Sequence, residues 1–253
     1  MNDINLYNVM LATWFALALV TFVVLLFVTV PYGRYVRKGW GPSVNPKIGW
    51  ALMELPALCL MPILFFLGEQ IHNPVAIVFM LLWLFHYAYR TLAFPMLLGK
   101  GSAAMPVSVV IFGFVFNVVN GYLIGSGLFG IGSEYLSSWL LDPRFIVGAG
   151  VFFAGFAIHY HADAILRSLR KPAESGYRIP RGGMFRFISC PNYFGEIVEW
   201  GGFAVATWSL PTLTFLVWTI ANLAPRALSH HRWYKETFAE YPTDRKALIP
   251  FLL

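Results

Sequence analysis

Charge is what this chain has least of. Only 12% of its 253 residues are Asp, Glu, Lys or Arg, about half of the ~25% that solvates an ordinary globular domain. With 58% of residues hydrophobic, a soluble protein is excluded and a polytopic membrane protein is indicated. Cysteine is nearly missing as well. Cys59 lies in an apolar run and Cys190 in a polar stretch, which leaves no disulfide framework and no zinc-like spacing. No G-x-G-x-x-G opens a helix after a strand; Gly182-Gly183 is the nearest thing to a phosphate-binding turn. Segments of about ten residues with alternating polarity are absent too, which removes a β-barrel and leaves helices as the spanning structure. The N-terminus, MNDINLYNVM, has neither a basic n-region nor a small-residue cleavage site, so the first hydrophobic run reads as a retained span.

What the chain does have is seven apolar segments, near 9–30, 48–67, 74–98, 106–128, 145–165, 194–210 and 211–228. The first five reach the roughly 20 residues that cross about 30 Å of hydrocarbon. The last two are shorter, so six spans is the alternative count, and a break is expected between them at Pro211. The expected fold is therefore all-α integral membrane, a seven-transmembrane helix bundle forming one domain over 1–253. Placing the N-terminus outside and the C-terminus in the cytoplasm puts 17 of the 18 Lys and Arg on the inner side, Arg144 alone remaining outside. Membrane insertion rewards that asymmetry.

The longest polar passage, 159–200, holds six of those cations: Arg167, Arg170, Lys171, Arg178, Arg181 and Arg186. Its loop, 166–193, interleaves them with Tyr, Asn and Gly. Arginine offers paired donors to phosphate and glycine admits close backbone approach, so the loop suits a phosphorylated ligand from the cytosol. Other polar residues stand inside the apolar segments. Glu54, in WALMELPALCL, has no basic neighbour within a turn of its own helix and lies roughly 10 Å below the cytoplasmic interface. Burial at that depth favours the neutral acid. Tyr87 lies roughly 16 Å from the inner end of the third segment, close enough in depth to meet Glu54 across two packed helices. Asn117 and Asn120 share a face of the fourth segment and open two readings, lining a cavity or joining helices. His159 and Asp163 are four apart, yet no further ligands occur at suitable spacing, so no metal is expected. Asn192, Glu196 and Trp200 form one stripe at four-residue spacing, with Glu199 beside it, and Arg226, His230 and Tyr234 form another.

These residues describe a polar cavity near the cytoplasmic face with apolar walls, a buried acid and a phenol. A lipophilic molecule arriving from the bilayer fits the walls. The residues by themselves leave open whether the basic mouth takes a nicotinamide dinucleotide, a coenzyme A thioester or an anionic lipid.

Three passages carry a resemblance: HADAILRSLRKPAESGYRIPRGGMF, PNYFGEIVEWGGFAVATWSLP and LAPRALSHHRWYKETFAEYPTDRKALIPF, with the shorter words LMELPAL and HYAYRT upstream. Over roughly residues 159–253 the chain resembles the steroid 5α-reductase family, and a bacterial-type member is expected. The resemblance implies seven transmembrane helices enclosing NADPH, and reduction of the 4,5 double bond of 3-oxo-Δ4 steroids. It implies Glu54 and Tyr87 as the catalytic pair. It implies cofactor contacts at Asp163, Arg170, Tyr177, Arg178, Asn192, Glu196, Trp200, Arg226, His230 and Tyr234. His159 stands where a relative would have Asn. The mechanism implied is polarisation of the C3 ketone by Glu54 and Tyr87 while hydride reaches C5. The expected partners are a steroid or related enone and membrane lipid, with no nucleic acid, for a monomer in a bacterial inner membrane or the endoplasmic reticulum. PNYFGEIVEW also resembles S-adenosylmethionine-dependent isoprenylcysteine and phospholipid methyltransferases, and a trans-enoyl-CoA reductase is a further alternative. A transporter using Glu54 for proton coupling is disfavoured by the absence of internal repeats.

Overall fold

The computed structural model describes residues 3–99, 103–132, 134–169 and 176–253. Helix dominates: α1 (Asp3–Phe27), α2 (Pro46–Leu67), α3 (Pro74–Ala88), α4 (Phe94–Leu97), α5 (Val107–Phe129), α6 (Pro143–Ser168), α7 (Pro191–Thr207) and α8 (Leu210–Thr237). A two-stranded antiparallel ribbon, β1 (Ser43–Val44) with β2 (Met105–Pro106), pairs Ser43 with Pro106 and Val44 with Met105. Five helical segments are long and apolar enough to cross a membrane: Ile4–Phe27, Pro46–Leu67, Pro74–Leu97, Val107–Phe129 and Pro143–Ser168. The chain is thus a multi-pass membrane protein.

The starts of α2, α3 and α6 share one local grammar, Asn or Asp followed by Pro. Asn45 accepts from Lys47 N and Asn73 from Val75 N, both at 2.9 Å, and Asp142 from Arg144 N at 2.8 Å. Each side-chain oxygen satisfies an orphan N–H while the proline takes a first-turn position where no donor is needed. Arg144 also donates from its guanidinium to Asp142, and this pairing pulls the Asp142 carboxyl down to about 2.

The residues divide into two compact units, Met1–Thr13, Pro31–Ile146 and Thr207–Thr212 forming the first, and Trp14–Val30, Val147–Ala206 and Leu213–Leu253 the second. In the first unit, α5 lays a ridge of Gly113, Asn117, Gly121 and Gly125 against α2. A Cβ on Gly113 would collide with Met53, while one on Gly121 would meet Leu60 and one on Gly125 would press on Leu64. Small residues at four-residue spacing let membrane helices approach until backbone and short side chains touch.

The second unit is built on closer contact still. Gly148 and Gly155 of α6 face Gly202 and Gly195 of α7, and each spacing is seven residues. A Cβ on Gly155 would meet the backbone of Glu199 and Gly195, and one on Gly195 would meet the backbone of His159 and Gly155. Backbone cannot yield as a flexible side chain can, so these positions admit no side chain.

Two boundaries differ from expectation. The break after α7 falls at Trp208, which takes a left-handed φ of 46°, rather than at Pro211. Pro211 sits in the first turn of α8, where a missing N–H costs nothing. Beyond it α8 continues through Pro225 to Thr237, so the segment expected to end near residue 228 is one uninterrupted helix carrying Arg226, His230 and Tyr234.

Gly155→Val should destabilise the protein by about 1–3 kcal/mol or more, the usual cost of overpacking, and lower the thermal midpoint in detergent by several degrees. Gly150→Ala on the same helix, with nothing within 4 Å of its Cβ, should leave the midpoint unchanged. Equal midpoints for the two variants would refute the backbone-contact account.

Candidate active site

Glu54 is buried on α2, 8% exposed. Its carboxyl meets two partners from other helices. Asn117 Nδ2 on α5 donates to Oε2 at 3.0 Å, and Arg90 Nε lies 3.8 Å from Oε1. The expectation of an acid without a basic neighbour holds along its own helix and fails in space, because the cation arrives from the helix after α3. Arg90 is itself held over two rings, 4.5 Å from the Trp50 centroid and 4.8 Å from that of Phe94. The aromatic faces stabilise the guanidinium, and its separation from Oε1 is too long for a hydrogen bond.

The local backbone explains how Arg90 comes to be there. Tyr89–Ala93 is a π-helical turn, in which Phe94 N–H bonds to Tyr89 O. Pro95 follows. It cannot donate to Thr91 O, and its ring crowds that carbonyl, so the ladder slips to the wider i→i+5 register. Tyr87 precedes this turn. Trp83 Nε1 donates to Ala57 O at 2.8 Å, and Arg90 faces Glu54. Tyr87 therefore stands between Trp83 of its own helix and Arg90 of the π turn, which both touch the Glu54–Ala57 stretch of α2. It is buried, packed 4.6 Å from the Trp83 ring centroid. Asn120 is buried as well, one turn along from Asn117.

The second unit gathers most of the remaining sequence candidates. Asn192 Nδ2 donates to Asp163 Oδ1 at 3.2 Å. His159 ties Asp163 to α7, its Nε2 3.3 Å from Asp163 Oδ2 and its Nδ1 3.6 Å from Glu199 Oε2. Trp200 is fully buried among Phe152, Phe203 and Phe215. Glu196, on the same stripe of α7, is partly exposed. The Arg226 guanidinium lies 5.5 Å from the Tyr193 ring centroid, and Tyr193 Oη is 3.2 Å from His230 Nε2. Tyr234 stacks on Tyr241 at 5.3 Å. Tyr177 and Arg178 are exposed, Tyr177 edge-on to Trp233. Arg170 lies outside the described residues.

Several structuring residues went unnoticed in the sequence. The C-terminal segment pairs with the end of the polar loop through Ser189 N to Lys246 O at 2.8 Å and Lys246 N to Phe187 O at 2.9 Å. Ser189 Oγ is 2.6 Å from both His231 Nδ1 and Tyr241 Oη, and donates to Lys246 O at 3.0 Å. Arg245, buried, donates to Pro180 O at 3.1 Å. No sequence pattern marks this clamp, since its partners are more than 40 residues apart. Cys59 is exposed and Cys190 buried.

Among the described residues, five helical segments long and apolar enough to span define a class, the multi-pass helical membrane proteins, and an acid, an amide and a phenol are buried among them. Over residues 103–253 the chain matches the family model of 3-oxo-5-alpha-steroid 4-dehydrogenase. It is 42% identical to Steroid 5-alpha-reductase DET2 of Gossypium hirsutum across 99% of both chains. It is also 42% identical to 3-oxo-5-alpha-steroid 4-dehydrogenase 1 of Bos taurus, across 94% of this chain and 93% of that one. The human protein of the same name is 39% identical across 87% of this chain and 85% of its own. The chain belongs to the steroid 5α-reductase family, a family of oxidoreductases. These relatives are plant and mammalian, which gives the bacterial-type expectation no support.

Burial pushes the His231 imidazole below its ordinary value, and Lys235, Lys246 and Arg245 act in the same direction. The folded state thus holds His231 neutral more firmly than the unfolded chain does. Its contribution is complete above pH ~6.5 and is lost as pH falls from there through the lower folded-state value. The thermal midpoint should decline on acidification below that point, and His231→Asn should flatten the decline. Parallel pH profiles for the two proteins would contradict the assignment.

Proposed function

We propose that this chain reduces the 4,5 double bond of 3-oxo-Δ4 steroids with NADPH, and that Glu54 and Tyr87 act on the C3 ketone. The observation that carries the reading is Glu54 itself, an acid buried in an apolar helix, held by Asn117 and opposite the stretch of α3 that bears Tyr87. Bound NADPH supplies the hydride that the conjugated β-carbon, C5, accepts. The Glu54 carboxyl in its acid form and the Tyr87 hydroxyl donate to the ketone oxygen, where negative charge develops. Each such donor in a dry site contributes about 3–4 kcal/mol to the transition state. Arg90 stands ready to balance charge on the Glu54 side.

The donor chemistry of the second unit fits a phosphorylated dinucleotide. Arg178 and Arg226 suit phosphate, and Asp163, Glu196 and Asn192 suit ribose hydroxyls and amide groups. Tyr177 and His230 supply flat faces for rings, and Trp200, Tyr234 and Arg170 complete the set that the family resemblance assigns. The same reading carries the finer topology, seven crossings with the N-terminus outside and the C-terminus cytoplasmic, in a monomer that takes its steroid from the surrounding lipid. The placement of 17 of 18 Lys and Arg on one side supports it.

Purified protein should oxidise NADPH in the presence of testosterone or progesterone and leave an enoyl-CoA untouched. Glu54→Gln should retain NADPH binding and lose turnover by on the order of 100-fold or more, with Tyr87→Phe behaving alike. Unchanged turnover in Glu54→Gln, or stabilisation by S-adenosylmethionine in place of NADPH, would overturn the reading.

A further inference from the structure

Glu54 has a second-helix partner whose role goes beyond holding helices together. Asn117 Nδ2 makes two hydrogen bonds at once, to Met53 O at 2.8 Å and to Glu54 Oε2 at 3.0 Å. A backbone carbonyl can only accept, so Met53 O dictates which end of the amide faces α2. The amide therefore presents N–H to Glu54 whatever the carboxyl does. Two features of the sequence make room for this. Asn117 occupies the α5 ridge otherwise made of Gly113, Gly121 and Gly125, where close approach brings a short side chain onto the facing backbone. Met53 O, whose oxygen has two lone pairs, can accept the Asn117 amide laterally, and Pro56 further along the helix lacks the N–H that would meet Leu52 O.

We propose that Asn117 is a positioning residue for catalysis: it fixes Glu54 Oε2 as the accepting oxygen of the acid and leaves Oε1 as the one that donates to the substrate ketone. The chemistry is that of a neutral carboxylic acid, whose carbonyl oxygen is the better acceptor and whose hydroxyl oxygen carries the proton. An N–H held against Oε2 selects one of the two arrangements and one orientation of the carboxyl plane. Oε1 lies on the Arg90 side, 3.8 Å from its Nε, where charge left by a strongly donated proton is compensated. Without Asn117 the acid would rotate among arrangements of which only some direct its proton at the ketone.

The inference rests on the proposed role of Glu54, so its test separates the two. Turnover of testosterone is measured for Asn117→Leu, Glu54→Gln and the double variant, together with NADPH affinity and thermal midpoint. Asn117→Leu should lower kcat on the order of 10- to 100-fold, the usual effect of loosening a catalytic group by a fraction of an ångström, with NADPH affinity unchanged. In the Glu54→Gln background the same substitution should change the residual turnover by less than about twofold, because a residue that acts through Glu54 has nothing left to orient. Asn117→Gln, which keeps the amide on a longer stem, should recover part of the loss. An unchanged kcat in Asn117→Leu, or an undiminished effect in the Glu54→Gln background, overturns the positioning role. Full turnover in Glu54→Gln alone overturns the catalytic reading instead. If Asn117→Leu does not fold, Asn117→Ala, which removes the amide without adding an ionisable group, is read against the same outcomes.

Discussion

A carboxyl buried between apolar helices has to be met by donors, and that requirement organises the first unit. Leaving Glu54 unsatisfied in a medium without water would cost several kcal/mol. The donors come from α5 and from the turn after α3, and each depends on an irregularity. Asn117 reaches Glu54 because glycines let α5 settle onto α2. Arg90 reaches it from the π turn Tyr89–Ala93 ahead of Pro95. The acid, its amide and its cation are thus consequences of helix packing, and the phenol of Tyr87 is carried along on the same stretch of chain.

The second unit solves a related problem by a different device. Gly148, Gly155, Gly195 and Gly202 bring the backbones of α6 and α7 together, which sets His159 between Asp163 and Glu199. Polar side chains that would be costly apart become one another's partners. His159 replaces the Asn expected at this place from the family resemblance, and the imidazole has a nitrogen for each carboxylate where an amide would offer one donor group. At the other end of the unit, the C-terminal segment is laid against the polar loop by main-chain bonds at Ser189 and Lys246. A basic loop that is expected to receive phosphate is thereby anchored at one end by neutral hydrogen bonds, leaving Arg178 exposed.

Much of this was legible in the chain. The five longer apolar runs, the Asn-Pro and Asp-Pro helix starts and the isolation of Glu54 among hydrophobic residues all follow from local chemistry. So do the i, i+4 stripes at Asn192–Glu196–Trp200 and Arg226–His230–Tyr234. Pro211 reads as a break in the sequence, whereas a first-turn proline starts a helix as readily as it ends one. The Gly113–Asn117–Gly121–Gly125 spacing is present in the chain, but small residues at four-residue intervals within an apolar run carry no charge that sets them apart. The clamp of Ser189, His231, Tyr241 and Lys246 had no signature, since no periodicity links positions so far apart.

By itself the sequence determined that the chain is helical and membrane-embedded, because backbone groups in hydrocarbon must be satisfied within the segment that carries them. It also determined which residues are polar enough to be costly there, and with them the set of candidates for chemistry. Only the tertiary structure decided that Glu54 sits against Arg90 and Asn117, and that His159 bridges two carboxylates. The reason is geometric: such partners belong to different helices, and which side chains meet is settled by how closely and at what register those helices pack.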